Sequence, residues 1–194
     1  VNLDALLARI EAHPGDRVVV ALAGPPASGK STLAETLAER TGGAVLPMDG
    51  FHLDDRILGP RGLLPRKGAP ETFDLGGFAR TVAALRRGED VYHPIFDRSR
   101  EIAIAGAGHV PAATRVVVVE GNWLLLDAPG WRDIAWDVTA RLEVPDAELR
   151  ARLEERWAGL TPEARAAKID GNDMPNARLV REGSRTPDIL LRKG

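Results

Sequence analysis

The chain has 194 residues, with 26 basic and 28 acidic side chains and a net charge of −2. That length fits one domain with a core of its own, and the near-neutral balance offers no broad basic surface for nucleic acid or an anionic membrane. Cysteine is absent, which excludes disulfides and thiolate chemistry, and with no apolar run as long as a membrane span and no leader-like start the expectation is a cytoplasmic protein. The first residue is Val1, so completeness of the N-terminus is left open.

Residues 2–13 carry Leu3, Leu6, Leu7 and Ile10 on one helical face, and Pro14-Gly15 stops that helix. Asp16 to Ala23 reads as a buried strand. It runs straight into Gly24-Pro25-Pro26-Ala27-Ser28-Gly29-Lys30-Ser31, which fits G-x-x-x-x-G-K-[ST]. Leu33 to Arg40 continues as a helix, with Leu33 and Leu37 on one face, and Gly42-Gly43 ends it. Strand, glycine-rich loop and helix together predict a phosphate cradle. Glycines let successive backbone N–H groups turn toward an anion, and the helix adds the positive end of its dipole. Gly24 to Thr32 would then hold a nucleotide, with Lys30 on the β- and γ-phosphates and the Ser31 hydroxyl on Mg²⁺.

Ala44 to Met48 is a second strand, and Pro47 argues against a central place in a sheet at that point. Residues 50–73, rich in Gly, Pro and charge, read as a long functional loop. A helix is expected over 74–87 and a small β-excursion over 91–96 and 101–105. The nearly all-Val segment from Arg115 to Glu120 is apolar throughout, as a parallel strand covered on both faces should be. A further strand covers 138–144. Pro145, with Asp146 and Glu148 in the first turn, opens a helix to about Leu160. Others follow over 161–169 and 175–181, then a last strand over 188–191. Strands alternating with helices predict an α/β chain with a parallel sheet and ligands at the C-terminal strand edge.

A nucleotide site needs a carboxylate for Mg²⁺ and its waters. Glu120 closes the better buried strand, and Gly121 permits close approach. Asp127, before Pro129-Gly130, reads better as a turn acid. Asp49 follows the second strand, where a carboxylate would face the γ-phosphate and serve as base or orienting acceptor for a hydroxyl. From position alone it is as readily a turn aspartate before Gly50.

Asp49-Gly50-Phe51-His52, Arg66 to Asp74, Val91 to Asp97 and Val119-Glu120-Gly121 follow the phosphate loop in that order. This set resembles the P-loop small-molecule kinases grouped with uridine kinase, pantothenate kinase and phosphoribulokinase, closest to a bacterial nucleoside- or fructose-kinase-like branch. The resemblance spans about residues 15 to 191. It implies a three-layer P-loop NTPase fold with a central, mostly parallel sheet, one kinase domain over 1–194, and a helical lid over about 145–172. It implies Asp49 as catalytic aspartate, Lys30 and Ser31 as phosphate and Mg²⁺ ligands, and Glu120 as the acid of the E-G pair. Phe51, His52, Arg66, Lys67, Tyr92 and His93 fall on the acceptor side. Arg98, beside Asp97, reads equally as a contact for an anionic or polyhydroxy acceptor and as a surface salt-bridge partner. The tail from Pro175 to Leu191 resembles the segment beside adenine.

Arg152 and Arg156 share a helix face. In a kinase lid they would sit on the transferring phosphate, and otherwise they form a solvated face with Glu148, Glu154 and Glu155. Arg150 shares that helix, and Arg100 accompanies Arg98. His13 and His109 read as loop residues without partners. The four tryptophans read as core or lid packing, and no cluster has zinc spacing.

The leading expectation is an ATP- and Mg²⁺-dependent kinase acting on a small-molecule hydroxyl, with fructose or another sugar ahead of uridine and pantothenate. A GTPase switch finds only weak echoes, in Asp127-Ala128-Pro129-Gly130 and Ala167-Lys168-Ile169-Asp170. A silent nucleotide-binding module is disfavoured by the joint presence of Lys30, Ser31, Asp49 and Glu120. No nucleic-acid or membrane partner is expected, and a homodimer is the default oligomer.

Overall fold

The computed structural model describes residues 2–192. Five parallel strands form the central sheet: β1 (Val18–Ala23), β2 (Ala44–Pro47), β5 (Val116–Gly121), β6 (Val138–Glu143) and β7 (Ile189–Arg192), in the order β2-β5-β1-β6-β7. β3 (Val91–Asp97) and β4 (Ile102–Val110) form a separate antiparallel hairpin. Pro47 lies on the edge strand, where a missing N–H costs no ladder bond.

β1 and β5 are buried on both faces, and strand alternation sorts their residues between two cores. Val19, Ala21, Val117 and Val119 pack with Phe78, Val82 and Leu85 of α4 (Leu75–Arg86). Val18, Val20, Leu22, Val116 and Val118 pack with Leu6 and Ile10 of α1 (Asp4–Glu11) and Leu37 of α2 (Lys30–Thr41). Each fully buried Val or Leu contributes about 1.5–3 kcal/mol relative to exposure. That two-sided burial is why these strands read as continuous apolar runs and why helices must cover both faces.

Polar pins hold the N-terminal end of the sheet. Arg17 donates to the carbonyl oxygens of Thr114 (2.9 Å), Leu85 (3.2 Å), Glu89 (3.0 Å), Pro111 (2.7 Å) and Ala112 (2.6 Å). The Asp137 carboxylate accepts from the Val19 N–H at 2.8 Å.

Residues 50–73 are more ordered than a loop reading expects. They contain the single-turn α3 (Asp55–Leu58), capped by Asp54, and 3₁₀ turns over Leu64–Arg66 and Pro70–Thr72. Asp74 is the cap of α4, its carboxylate accepting from the Gly77 N–H. The expected helix from Pro145 ends early, as α5 (Asp146–Arg156). Thr161 caps α6 (Pro162–Lys168), which passes through a π-turn at Ile169–Asp173 directly into α7 (Met174–Gly183). Pro175 stands directly after the π-turn, where the regular i→i−4 ladder is already interrupted, and the helical path continues. Among the described residues no helix is long and apolar enough to cross a membrane.

Candidate active site

The loop Gly24–Ser31 leaves β1 and enters α2 at the C-terminal sheet edge. Gly29 sits at φ +89° and Ala27 at φ +58°. The left-handed region costs a residue bearing Cβ about 1–2 kcal/mol, so Ala27 is held there by its surroundings. The Gly24 N–H donates to Gly121 O at 3.3 Å, tying the loop to the end of β5. Pro25 and Pro26 are buried, and the buried Ser28 hydroxyl has no hydrogen-bond partner. Lys30, Ser31 and Thr32 form the first turn of α2.

Glu120 stands beside them. Ser31 Oγ donates to its Oε1 at 3.1 Å, while its Oε2 is buried with no partner. Burial pushes this carboxyl above its ordinary range, against the pull of Lys30. Gly121 answers a close approach: a Cβ there would lie 2.5 Å from Met48 Cβ.

Asp49 lies in a 3₁₀ turn, Met48–Phe51, after β2. Burial would raise its carboxyl, but Lys30, His52 and Arg98 outweigh burial and hold it below the usual range, so it is ionised at neutral pH. Arg98, from the hairpin, donates to Asp49 Oδ2. His52 is pushed below its ordinary value by burial, with only partial opposition from Asp49. Its Nδ1 lies 2.7 Å from Asp49 O, an acceptor, so the neutral ring carries its proton on Nδ1. The ring fills the space between Phe73 (4.1 Å) and Phe96 (4.7 Å between centroids).

One cleft therefore joins Lys30, Asp49, His52, Lys67, Arg98 and Arg156. Arg156 stacks on Trp157 at 5.1 Å, and Lys168 lies over the same indole at 5.4 Å. Burial and the Arg98 charge depress the Arg156 guanidinium. Lys67, its side chain only 10% exposed, bridges Asp55 (2.7 Å) and Glu101 O (2.9 Å) and so fastens the hairpin tip to the 50–73 segment.

Other expected residues lie elsewhere. Phe51 is core, edge-on to Phe78. Arg66 donates to Gly171 O (3.1 Å) and Asn176 Oδ1 (3.3 Å), outside the cleft lining. Tyr92 is 68% exposed and stacks on His109 at 4.4 Å, while His93 is buried against Gly108. Neither lines the cleft. Arg152 lies behind the phosphate loop, donating to Ala27 O (3.0 Å) and Ser28 O (2.8 Å). Arg150 pairs with Asp170 at the surface (2.7 Å), and Asp127 pairs with Arg132 (3.3 Å). The two histidines read as partnerless both have partners: His13 Nδ1 accepts from the Gly15 N–H, and His109 contacts both Asp90 oxygens at 3.0 Å.

The sequence reading missed the polar wall of the cleft: Asn122, Asn172, Asp173 and Asn176, all buried. Asn122 Oδ1 has no partner. Asp173 accepts from Trp157 Nε1 at 2.8 Å, and burial raises its carboxyl. The available signal was the polar run Asp170-Gly171-Asn172-Asp173 between two helical segments.

A second slot, about 320 Å³, lies beside Pro25, its apolar lining from Leu142, Val144, Leu149, Ala177 and Val180 rimmed by the charged Arg141, Glu143, Arg181 and Arg192.

No protein-family model matches the chain. It is 37% identical over 196 residues to a Schizosaccharomyces pombe protein named "Putative uridine kinase", covering 91% of this chain and 83% of that one. It is 34% identical over 228 residues to a pantothenate kinase of Leifsonia xyli, covering 100% of this chain and 70% of that one. Its fold matches a crystal structure described as a "putative fructose transport system kinase" from Silicibacter sp., with a TM-score of 0.90, 52% identity and 98% coverage of both chains. With the phosphate loop, the parallel sheet and these relatives in agreement, the chain belongs to the P-loop kinase family.

Proposed function

We propose that this protein is an ATP-dependent kinase that transfers the γ-phosphate to a hydroxyl of a small metabolite, a sugar such as fructose before any other. The observation that carries the reading is the meeting of Lys30 and an ionised Asp49 in one cleft whose far wall is amide and carboxylate. Residues 24–32 would wrap the phosphates, and the slot beside Pro25, with its apolar floor and charged rim, would take the adenine. Asp49, with its depressed pKa, is a weak base. Its main task is to orient the acceptor hydroxyl and take its proton as the phosphoryl group departs. Lys30 and Arg156 would stabilise the charge spread over the transferring group, so rate comes from positioning and electrostatics. Mg²⁺ fits the donor set, because Glu120 Oε2 is an orphaned buried carboxylate oxygen beside the Ser31 hydroxyl, and Mg²⁺ typically takes one or two carboxylates plus phosphate oxygens. When bound it neutralises charge on the β- and γ-phosphates.

Two features favour a sugar over a nucleoside. The gap between Phe73 and Phe96, where a base could stack, is filled by His52. The remaining wall of Asn122, Asn172, Asp173 and Asn176 suits hydroxyl groups, which both donate and accept. The relatives' names span uridine, pantothenate and fructose transport and support the kinase reading without choosing among acceptors. The test is acceptor-dependent ADP release with fructose, uridine and pantothenate, extended to a broad metabolite panel. Turnover of fructose or another sugar is expected. Phosphorylation of uridine with none of the sugars overturns the sugar assignment, and GTP used far better than ATP overturns the nucleotide.

A further inference from the structure

We propose that Arg152 is a positioning residue that sets the phosphate loop from behind, acting on its carbonyl groups and not on the transferring phosphate. The inference rests on the reading of Gly24–Ser31 as the nucleotide phosphate site. A loop that turns its N–H groups toward an anion must turn its carbonyls away, and those oxygens need donors of their own. Arg152 supplies them: one guanidinium nitrogen donates to both Ala27 O (3.0 Å) and Ser28 O (2.8 Å). Its other terminal nitrogen donates to Glu148, one helical turn earlier on α5, which fixes the guanidinium plane.

The two carbonyls belong to the stretch where the backbone is least ordinary, since Ala27 and Gly29 both have positive φ. A Cβ built on Gly29 would meet nothing within 4 Å but Arg152 Nη1. Charge-assisted bonds to two successive carbonyls hold the peptide planes in the orientation the cradle needs before ligand arrives. Arg156 differs in every respect. It stacks on Trp157, and among the described residues no carboxylate lies within ion-pair distance of it. It lines the cleft with Lys30 and Asp49, as Arg152 does not. One helix thus carries two arginines with different work, one shaping the loop and one facing the chemistry.

The experiment titrates wild type, Arg152→Ala, Arg152→Lys and Glu148→Gln with ATP, ADP and adenosine, then measures kcat and both KM values with an acceptor from the panel. For Arg152→Ala the expected result is a loss of ATP and ADP affinity of about 10- to 100-fold, with adenosine affinity, acceptor KM and kcat at saturating ATP little changed. Glu148→Gln should move the same constants less. Arg152→Lys, which keeps the charge but loses the fork, should fall between, and it carries the test if the alanine variant does not fold. Unchanged affinity for ATP with a kcat loss of 100-fold or more, about the loss expected for a group on the reacting phosphate, overturns the proposal. So does equal loss of adenosine and ADP affinity, or no change at all. Wild-type protein that binds neither ATP nor ADP overturns the nucleotide reading itself, and the proposal with it.

Discussion

The two halves of the cleft are built from different materials. In the proposed reading the phosphate half is mainly backbone, laid down by one contiguous strand-loop-helix passage from Val18 to Thr41, with Glu120 of β5 and Arg152 of α5 set against it. The half proposed to take the acceptor is side chain, gathered from the turn at Asp49 and His52, from Lys67, from the hairpin at Phe96 and Arg98, and from the α5-to-α7 stretch at Arg156, Asn172, Asp173 and Asn176. A backbone cradle leaves a compact signature in sequence because its glycines and its lysine are near neighbours. A side-chain pocket leaves residues scattered over more than a hundred positions, each individually ordinary.

If the halves are separable, mutations should divide between nucleotide and acceptor constants. The largest effect is expected from Asp49→Asn, with kcat reduced by about 10²- to 10⁴-fold and ATP affinity retained. Steady-state kinetics beside ATP titration reads this, and near-normal turnover would remove Asp49 from the chemistry. Arg156→Ala should lower kcat by about 10²- to 10³-fold, mainly at the transfer step. A rise in ATP KM alone would move Arg156 to the nucleotide half. Asn122→Ala and Asn176→Ala should raise acceptor KM by about tenfold, the worth of one well-placed hydrogen bond, and leave ATP KM unmoved. A parallel rise in both constants would blur the division.

The smallest effect reads stability. Glu120 keeps a carboxylate in a buried position, with one oxygen unpartnered and a pKa raised by burial. Glu120→Gln removes that charge, so the ligand-free protein should melt higher, by about 2–4 °C per kcal/mol recovered in a chain of this size. The same variant should lose the extra stabilisation that Mg²⁺ with ATP confers over ATP alone. A lower melting temperature in the ligand-free state would mean that the Ser31 and Lys30 contacts already outweigh the burial penalty.

Much of the fold is legible because both-face burial writes continuous apolar runs: Asp16 to Ala23 reads as a buried strand and Arg115 to Glu120 as a parallel strand covered on both faces, and β1 and β5 form within those bounds or one residue beyond. Tyr92 and His93 lie outside the cleft that holds Lys30 and Asp49. Adjacent residues on a strand point to opposite faces, so the pair could not both line one pocket, and here neither does. The polar wall escaped notice for a different reason. Asn172 and Asp173 sit in the interval expected between the helices over 161–169 and 175–181, yet the chain passes through a π-turn there, and both are buried, as is Asn176 in the following helix. Arg152, which the sequence leaves either on a lid facing phosphate or on a solvated face, meets the carbonyls of Ala27 and Ser28 instead. Spacing fixes a shared helix face but not which neighbour that face meets.

The valine run of β5 has a consequence for alignment. Val116 to Val119 offers four identical side chains, so sliding β5 by one residue against β1 would exchange valine for valine at three of the four positions, and the packing penalty falls on the ends of the run, where Arg115 or Glu120 would take a buried valine's place. The marks that break the degeneracy stand at the ends. Arg17 gathers carbonyls of Thr114, Pro111 and Ala112 just before the strand, and Glu120 meets Ser31 just at its close. A one-residue slip would carry a valine or a glycine to the Ser31 hydroxyl. The chain therefore reads its own register with the carboxylate it would use for chemistry, and a misaligned sheet would be a chemically blank one.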